Sequence, residues 1–318
     1  MSTIAVRVAR KLREAEDICS YELVREDGAP LPPFEAGAHI DVHLDDGVVR
    51  QYSLCNAPGE THRYQIGVLR DGASRGGSLA MHERIEEGSR LRIGAPKNHF
   101  PLAEAERSLL LAGGIGVTPL LAMAETLARR GAAFELHYCA RSPQRAAFRE
   151  RIRASAFAAH AHFHYDSGEA AQKLDLAGLL EAAGAATQLY VCGPQGFIDH
   201  VLGAARAMGW PAARLHVEYF GNAALETGGD RPFEVKLASS GKVVSVAAGQ
   251  SVIEALAQQG VEIAYSCGEG VCGTCLTRVL DGVPEHRDLY LTEEEQAAND
   301  RFTPCCSRAR TPLLVLDL

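Results

Sequence analysis

Five of the nine cysteines, at positions 267, 272, 275, 305 and 306, fall in the last 52 residues. Cys267, Cys272 and Cys275 stand in the run CGEGVCGTC, with the C-x4-C-x2-C spacing that holds a [2Fe-2S] cluster once a fourth cysteine joins from downstream. Cys305 and Cys306 both offer that fourth thiolate. The thiolates must converge on two irons, and glycines at 268, 270 and 273 let the backbone wrap closely and aim N–H groups at the sulfurs. Zinc sites more often use paired C-x2-C knuckles, and disulfide frameworks belong to oxidising compartments.

Two further groups of residues suit organic cofactors. Arg50, Tyr52 and Ser53 in RQYSL offer a cation for a phosphate, a flat surface for a ring system and a hydrogen bond near a reactive ring nitrogen, which are the needs of a flavin. Taken alone, the same run is equally an edge strand with one exposed Arg. Downstream, Arg75, Gly76, Gly77 and Ser78 precede LAMHERI, and a Gly-Gly-Ser turn opening a helix presents N–H groups and a hydroxyl to phosphate. His82 and His99 read as structural or surface histidines. In LLLAGGIGVTP a buried strand runs into Gly113, Gly114 and Gly116, with Thr118 expected at the helix N-cap and Pro119 at the first helical position. Leu120, Met123, Ala124 and Leu127 then mark the buried face of that helix, which ends at Gly131. The turn suits a pyrophosphate, although it is not G-x-G-x-x-G. Cys192, Gly193 and Pro194 form a second glycine turn after the strand QLYV. Arg141 and Ser142 follow another strand, where an adenosine ribose would lie. Only Arg145 lies near them as a further cation, so NADH is favoured over NADPH.

These residues must be carried by three different supports. Residues 1–103 alternate short β-like runs with turn signals, as in HIDVHL, and predict an antiparallel β-barrel. Residues 104–222 alternate strand, glycine turn and helix, the pattern of an α/β domain with a parallel sheet. Residues 223–232 are small and polar and read as a linker. Residues 233–318 restart with two strands about a turn at Ser239–Gly241 and a helix in SVIEALAQQG, and hold the cysteine loop. A length of 318 residues allows such a division, and 47% apolar with 23% charged residues is an ordinary folded composition. The net charge of -8 opposes nucleic-acid binding. The N-terminus has no signal-peptide pattern and no apolar run reaches membrane-spanning length, so the expectation is a cytoplasmic protein with no membrane contact. From residue 233 onward 12 acidic residues face 7 basic ones, and Glu293, Glu294 and Glu295 follow Thr292 as in a capping box.

CGEGVCGTC, followed 29 residues later by CCSRA and a closing LVLDL, resembles the C-terminal ferredoxin domain of the phthalate dioxygenase reductase family, to which vanillate O-demethylase reductases belong. The R-x-Y-S, Gly-Gly-Ser and two glycine-turn segments extend the resemblance over nearly the whole chain. The resemblance implies an FMN barrel, an NAD-binding domain and a β-grasp ferredoxin domain, in that order. It places Arg50 and Ser78 on the FMN phosphate, Tyr52 and Ser53 on its ring, and Cys192 near the reacting nicotinamide carbon. Phe220 would cover the flavin, or else simply pack in the core. The fourth iron ligand maps to Cys305, beside Ser307 and Arg308, with Cys306 as its neighbour. Electrons would pass from NADH through FMN and [2Fe-2S] to a terminal oxygenase with a Rieske centre; a di-iron or haem hydroxylase, or a redox sensor without turnover, are the other readings.

Overall fold

Ile40, Val42 and Leu44 alternate into one core, and the strand that holds Ile40 and Val42, with Leu44 just beyond its end, is the third along the chain of six in an antiparallel sheet. A computed structural model describes residues 3–44, 47–72, 76–221 and 229–318, so Arg75 and the first half of the expected linker lie outside the described residues. Internal contacts divide the chain into two units, Met1–Glu218 and Tyr219–Leu318.

The first unit holds two sheets. Strands β1 (Ile4–Ala15), β2 (Ile18–Arg25), β3 (His39–His43), β4 (Val49–Ser53), β5 (Tyr64–Leu69) and β6 (Arg90–Ile93) lie in the order β4-β3-β6-β1-β2-β5. An antiparallel bridge between Leu54 and Ile66 joins the two ends, curling the sheet into a barrel. Helix α1 (Gly77–Arg84) seals it with Ala80 and Met81, and Tyr21 donates its hydroxyl to the Met81 carbonyl at 2.7 Å.

The second sheet is wholly parallel. Strands β7 (Arg107–Gly113), β8 (Ala133–Ala140), β9 (Ala161–Tyr165), β10 (Thr187–Cys192) and β11 (Leu215–Glu218) lie in the order β11-β10-β7-β8-β9. The chain builds outward from β7 to β9, then crosses back to place β10 on the other side of β7. That reversal opens a crevice at the carboxyl ends of β7 and β10, the usual ligand position in such sheets. Helix α2 (Val117–Arg130) covers one face, and its Leu120, Met123, Ala124 and Leu127 are buried. Gly131 ends it with a left-handed backbone at φ 63°, donating to the carbonyl of Ala128. Helices α3 (Arg149–Arg153), α4 (Leu176–Ala182) and α5 (Gln195–Ala207) complete the unit.

One expectation for α2 is corrected. The helix starts at Val117 after a 3-10 turn over Gly114–Gly116, so Gly116 is the N-cap and Thr118 and Pro119 are its second and third residues. The Thr118 hydroxyl donates to the Ile115 carbonyl at 3.0 Å instead of capping. Proline is still accommodated, because the first-turn N–H groups have no partner within the helix.

In the second unit, strands β12 (Phe233–Leu237) and β13 (Val243–Val246) form the expected hairpin. They are followed by α6 (Val252–Ala257), β14 (Thr277–Asp281), β15 (Pro284–Glu285), α7 (Glu293–Ala298), β16 (Arg301–Phe302), β17 (Arg308–Ala309) and β18 (Leu313–Leu316). The mixed sheet runs β13-β12-β18-β14-β16, with β18 parallel to β12 at its centre and α6 packed on it through Val252, Ala255 and Leu256. Ser251 and Glu254 close a capping box on α6, as Thr292 and Glu295 do on α7. Among the described residues no helix is long and apolar enough to cross a membrane.

Candidate functional site

The crevice of the first unit is assembled from three strand ends. Residues Ala112 and Glu218 flank Cys192 in register across β7, β10 and β11. A Cβ on Gly116 would lie 2.2 Å from the Cys192 carbonyl oxygen, and one on Gly193 would lie 2.9 Å from the Gly113 Cα. The two glycine turns, about 80 residues apart in sequence, therefore touch backbone to backbone, and no larger residue fits at either contact. This juxtaposition leaves strand-end N–H groups and the start of α2 beside one another, a suitable seat for a pyrophosphate.

Ser53, at the end of β4 on the barrel, reaches the same place. Its hydroxyl donates to Glu218 Oε2 at 3.2 Å, across 165 residues of sequence. Burial pushes the Glu218 carboxyl up to about 8, opposed by the Ser53 hydrogen bond. Cys192 is fully buried, and burial, followed by the Glu218 charge, raises its thiol well above the usual range. Cys192 is therefore a neutral thiol rather than a nucleophile at neutral pH. Ser53 and Cys192 are expected at a cofactor site from the sequence, whereas Glu218 is not among the residues singled out there. The available signal was a carboxylate at the carboxyl end of the last parallel strand.

Around the barrel, Arg50 of β4 lies across the start of α1, where a Cβ on Gly77 would come within 2.5 Å of its Cγ. Gly76 caps that helix with a left-handed backbone at φ 84°. The Ser78 hydroxyl accepts from the Asp71 N–H at 3.2 Å. Arg50, Gly76, Gly77 and Ser78 are thus drawn to one helix start, a cationic and N–H-rich end that fits a flavin phosphate. Tyr52 is half-buried, and burial raises its phenol, so the ring offers an apolar face. His82 Nε2 donates to the Val68 carbonyl at 2.9 Å, and His99 packs against His39 with ring centroids 5.4 Å apart.

Arg141 is exposed and Ser142 partly buried, just beyond β8. Arg145 is committed to Glu16 at 3.3 Å and Asp17 at 3.6 Å. Phe220 belongs to the second unit, where it is 43% exposed.

In that second unit the cysteines converge. The Cys305 sulfur is in hydrogen-bonding contact with those of Cys267, Cys275 and Cys306, and Cys267 also meets Cys272. Contact with Cys272, then Cys305, holds the Cys267 thiol well below its ordinary value, with backbone N–H groups of Glu269 and Val271 adding to the effect. The Glu269 N–H donates to Cys267 Sγ at 3.4 Å and the Thr274 N–H to Cys272 Sγ at 3.5 Å. Cys306 meets Cys305 and lies against Gly270 of the loop, and its other partners are hydroxyls, with Thr303 Oγ1 at 3.3 Å and Ser307 Oγ at 3.8 Å. Gly273 shows why the loop needs glycine: its φ is +65°, and a Cβ there would lie 2.2 Å from the Tyr290 ring. Four converging sulfurs, one already favoured as thiolate, with N–H donors aimed at two of them, fit a [2Fe-2S] cluster.

Residues 235–310 match the 2Fe-2S iron-sulfur cluster binding domain family, and residues 98–215 match the dimethylamine monooxygenase subunit DmmA-like N-terminal domain. The chain is 60% identical over 316 residues to a vanillate O-demethylase oxidoreductase of Pseudomonas putida, covering 99% of each. The structure of phthalate dioxygenase reductase, described as modular for electron transfer from pyridine nucleotides to [2Fe-2S], superposes with a TM-score of 0.78 at 37% identity, covering 100% of this chain and 98% of that one. An intact type IV self-sufficient cytochrome P450 monooxygenase gives a TM-score of 0.86 at 38% identity; 99% of this chain is covered, but only 41% of that longer protein.

Proposed function

The chain belongs to the phthalate dioxygenase reductase family, and from that membership we propose that it draws electrons from NADH through FMN and one [2Fe-2S] cluster and delivers them to a Rieske-type oxygenase or O-demethylase. As a member of the family it is an oxidoreductase component of an oxygenase system. The observation that carries the finer reading is the meeting of Gly113–Gly116, Cys192–Pro194, Ser53 and Glu218 at one crevice, in a chain that also carries a converging cysteine loop.

In this reading Arg50, Gly76, Gly77 and Ser78 hold the flavin phosphate, and Tyr52 and Ser53 bound its ring. Gly113, Gly114, Gly116, Thr118, Pro119, Gly193 and Pro194 form the nucleotide seat, Cys192 lies beside the nicotinamide, and Arg141 and Ser142 meet the ribose. Arg145 is occupied by two carboxylates, which supports NADH over NADPH. Cys267, Cys272, Cys275 and Cys305 ligate the irons. Flavin chemistry joins a two-electron hydride donor to a one-electron cluster.

Purified protein is expected to yield one FMN and two irons per chain on acid extraction, and to oxidise NADH continuously with cytochrome c as acceptor. Recovery of FAD would overturn the flavin assignment, and a single reduction without turnover would point to a sensor. A haem hydroxylase acceptor is the second reading, supported by the likeness to the self-sufficient cytochrome P450. Parallel assays with a Rieske oxygenase and with a P450 haem domain discriminate the two.

Glu218 gives a pH prediction with a definite sign. The carboxyl ionises as pH rises past about 8, placing a negative charge beside the nicotinamide seat. A carboxylate attracts the cationic ring of NAD+ more than the neutral ring of NADH. Product inhibition by NAD+ should therefore strengthen, relative to NADH binding, as pH passes 8. Glu218→Gln should flatten that dependence, and Ser53→Ala, which removes a hydrogen bond favouring the ionised form, should move it to higher pH. A profile untouched by Glu218→Gln would place the nicotinamide elsewhere.

A further inference from the structure

Strand β8 sends Phe134, Leu136, Tyr138 and Ala140 into the core beneath α2, so Glu135, His137 and Cys139 face the opposite side of the sheet. Cross-strand register sets His162 beside His137 and His164 beside Cys139. Glu135, His137, His162 and His164 thus share one face near the sheet edge, on the far side of β7 from the β10 crevice. One ligand atom from each of Glu135, His137 and His162 lies within 4.8 Å of the others. The His137 and His162 rings stack with centroids 4.8 Å apart.

The hydrogen bonds around this cluster orient its lone pairs. His164 Nδ1 is 3.0 Å from the Gln172 carbonyl oxygen, which can only accept, so the neutral ring carries its proton there. Its Nε2 then accepts from His137 Nδ1 at 3.0 Å. His137 is left with an unprotonated Nε2, 3.1 Å from Glu135 Oε2. The other oxygen of Glu135 accepts from Arg107 at 2.7 Å, which keeps the carboxylate charged. Two lone pairs therefore face each other across a short gap, an arrangement that calls for a positive species between them. A metal ion meets the same need, and a histidine whose other nitrogen donates to a fixed acceptor is the usual form of such a ligand.

We propose that Glu135, His137 and His162 form a surface site for a divalent transition-metal ion of the zinc type, with His164 and Arg107 orienting the first two ligands. Two imidazoles and a carboxylate suit zinc, and an open fourth position faces solvent beside the exposed His162. Ligand atoms around zinc stand about 3.4 Å apart for bonds near 2.05 Å, so closure requires the exposed His162 and the partly exposed Glu135 to rotate inward. A bound ion would clip edge strand β9 to β8.

The test uses the full, untagged chain with its flavin and cluster in place, dialysed against micromolar zinc. Metal analysis should find one zinc per chain with the iron content unchanged, and thermal unfolding should shift upward with zinc. His162→Ala removes an exposed ligand and should abolish both effects. His164→Asn should weaken zinc binding by about tenfold or more, as loss of an orienting partner does. His160→Ala, at an exposed histidine outside the cluster, should retain zinc fully. Failure of the parent chain to retain zinc, or equal retention by His162→Ala, would overturn the site.

Discussion

Cys305→Ser is expected to strip or severely alter the iron–sulfur cluster, and with it electron delivery to the oxygenase. Cys305 is the downstream sulfur that reaches both Cys267 and Cys275, so its loss opens the ligand ring. Changing a mere orienting partner of a metal ligand costs about 10- to 100-fold, so losing a ligand should lower partner-linked turnover by more than about 100-fold. NADH should still reduce the flavin at a near-normal rate, because the crevice proposed for the nucleotide lies wholly within the first unit. Cys306→Ser should keep a near-normal visible spectrum, since beside Cys305 the partners of that sulfur are Thr303 and Ser307 rather than Cys267 or Cys275. Visible absorption, iron content and stopped-flow flavin reduction on both variants check this. Retention of the cluster in Cys305→Ser together with its loss in Cys306→Ser would move the ligand by one residue.

Gly116→Ala should do the reverse. The new methyl group would lie 2.2 Å from the Cys192 carbonyl oxygen and 2.6 Å from the Gly193 nitrogen, both backbone atoms that cannot swing aside. The two glycine turns must separate, and the proposed nucleotide seat opens with them. A displacement of about 1 Å at a reacting centre costs roughly 100-fold, so flavin reduction by NADH should fall by about that factor while the iron content is unchanged. Dithionite, which needs no nucleotide seat, should still reduce both cofactors. Loss of cluster or flavin along with NADH reduction would mean that the whole fold had suffered. A normal rate of reduction would remove this crevice from the NADH path.

Much of this protein was legible in one dimension because the relevant chemistry is local. The cysteine loop needs three ligands and its glycines within nine residues, so spacing alone announces it. Helix α2 follows from its apolar repeat and its Gly131 stop, and the capping boxes at Ser251 and Thr292 read directly from residue types three apart. The start of α2 was misplaced because a 3-10 turn and an α-helix share their first residues' preferences, and only packing against Cys192 decides where one gives way to the other.

What tertiary structure decided was everything that depends on contacts between distant segments. No local pattern pairs Ser53 with Glu218, and the proton affinity of that carboxyl follows from burial, which exists only once the barrel and the parallel sheet are folded. The expectation of Cys305 rather than Cys306 as the fourth ligand also turns on distant contacts, since the Cys305 sulfur meets Cys267 and Cys275 while that of Cys306 meets Cys305 and the hydroxyls of Thr303 and Ser307. The histidine face was present as E-x-H and H-x-H, each an unremarkable strand alternation. Only parallel pairing of β8 with β9, in a register that sets His137 against His162, turns two such alternations into one set of converging ligands, because strand register is a long-range property that neither strand specifies alone.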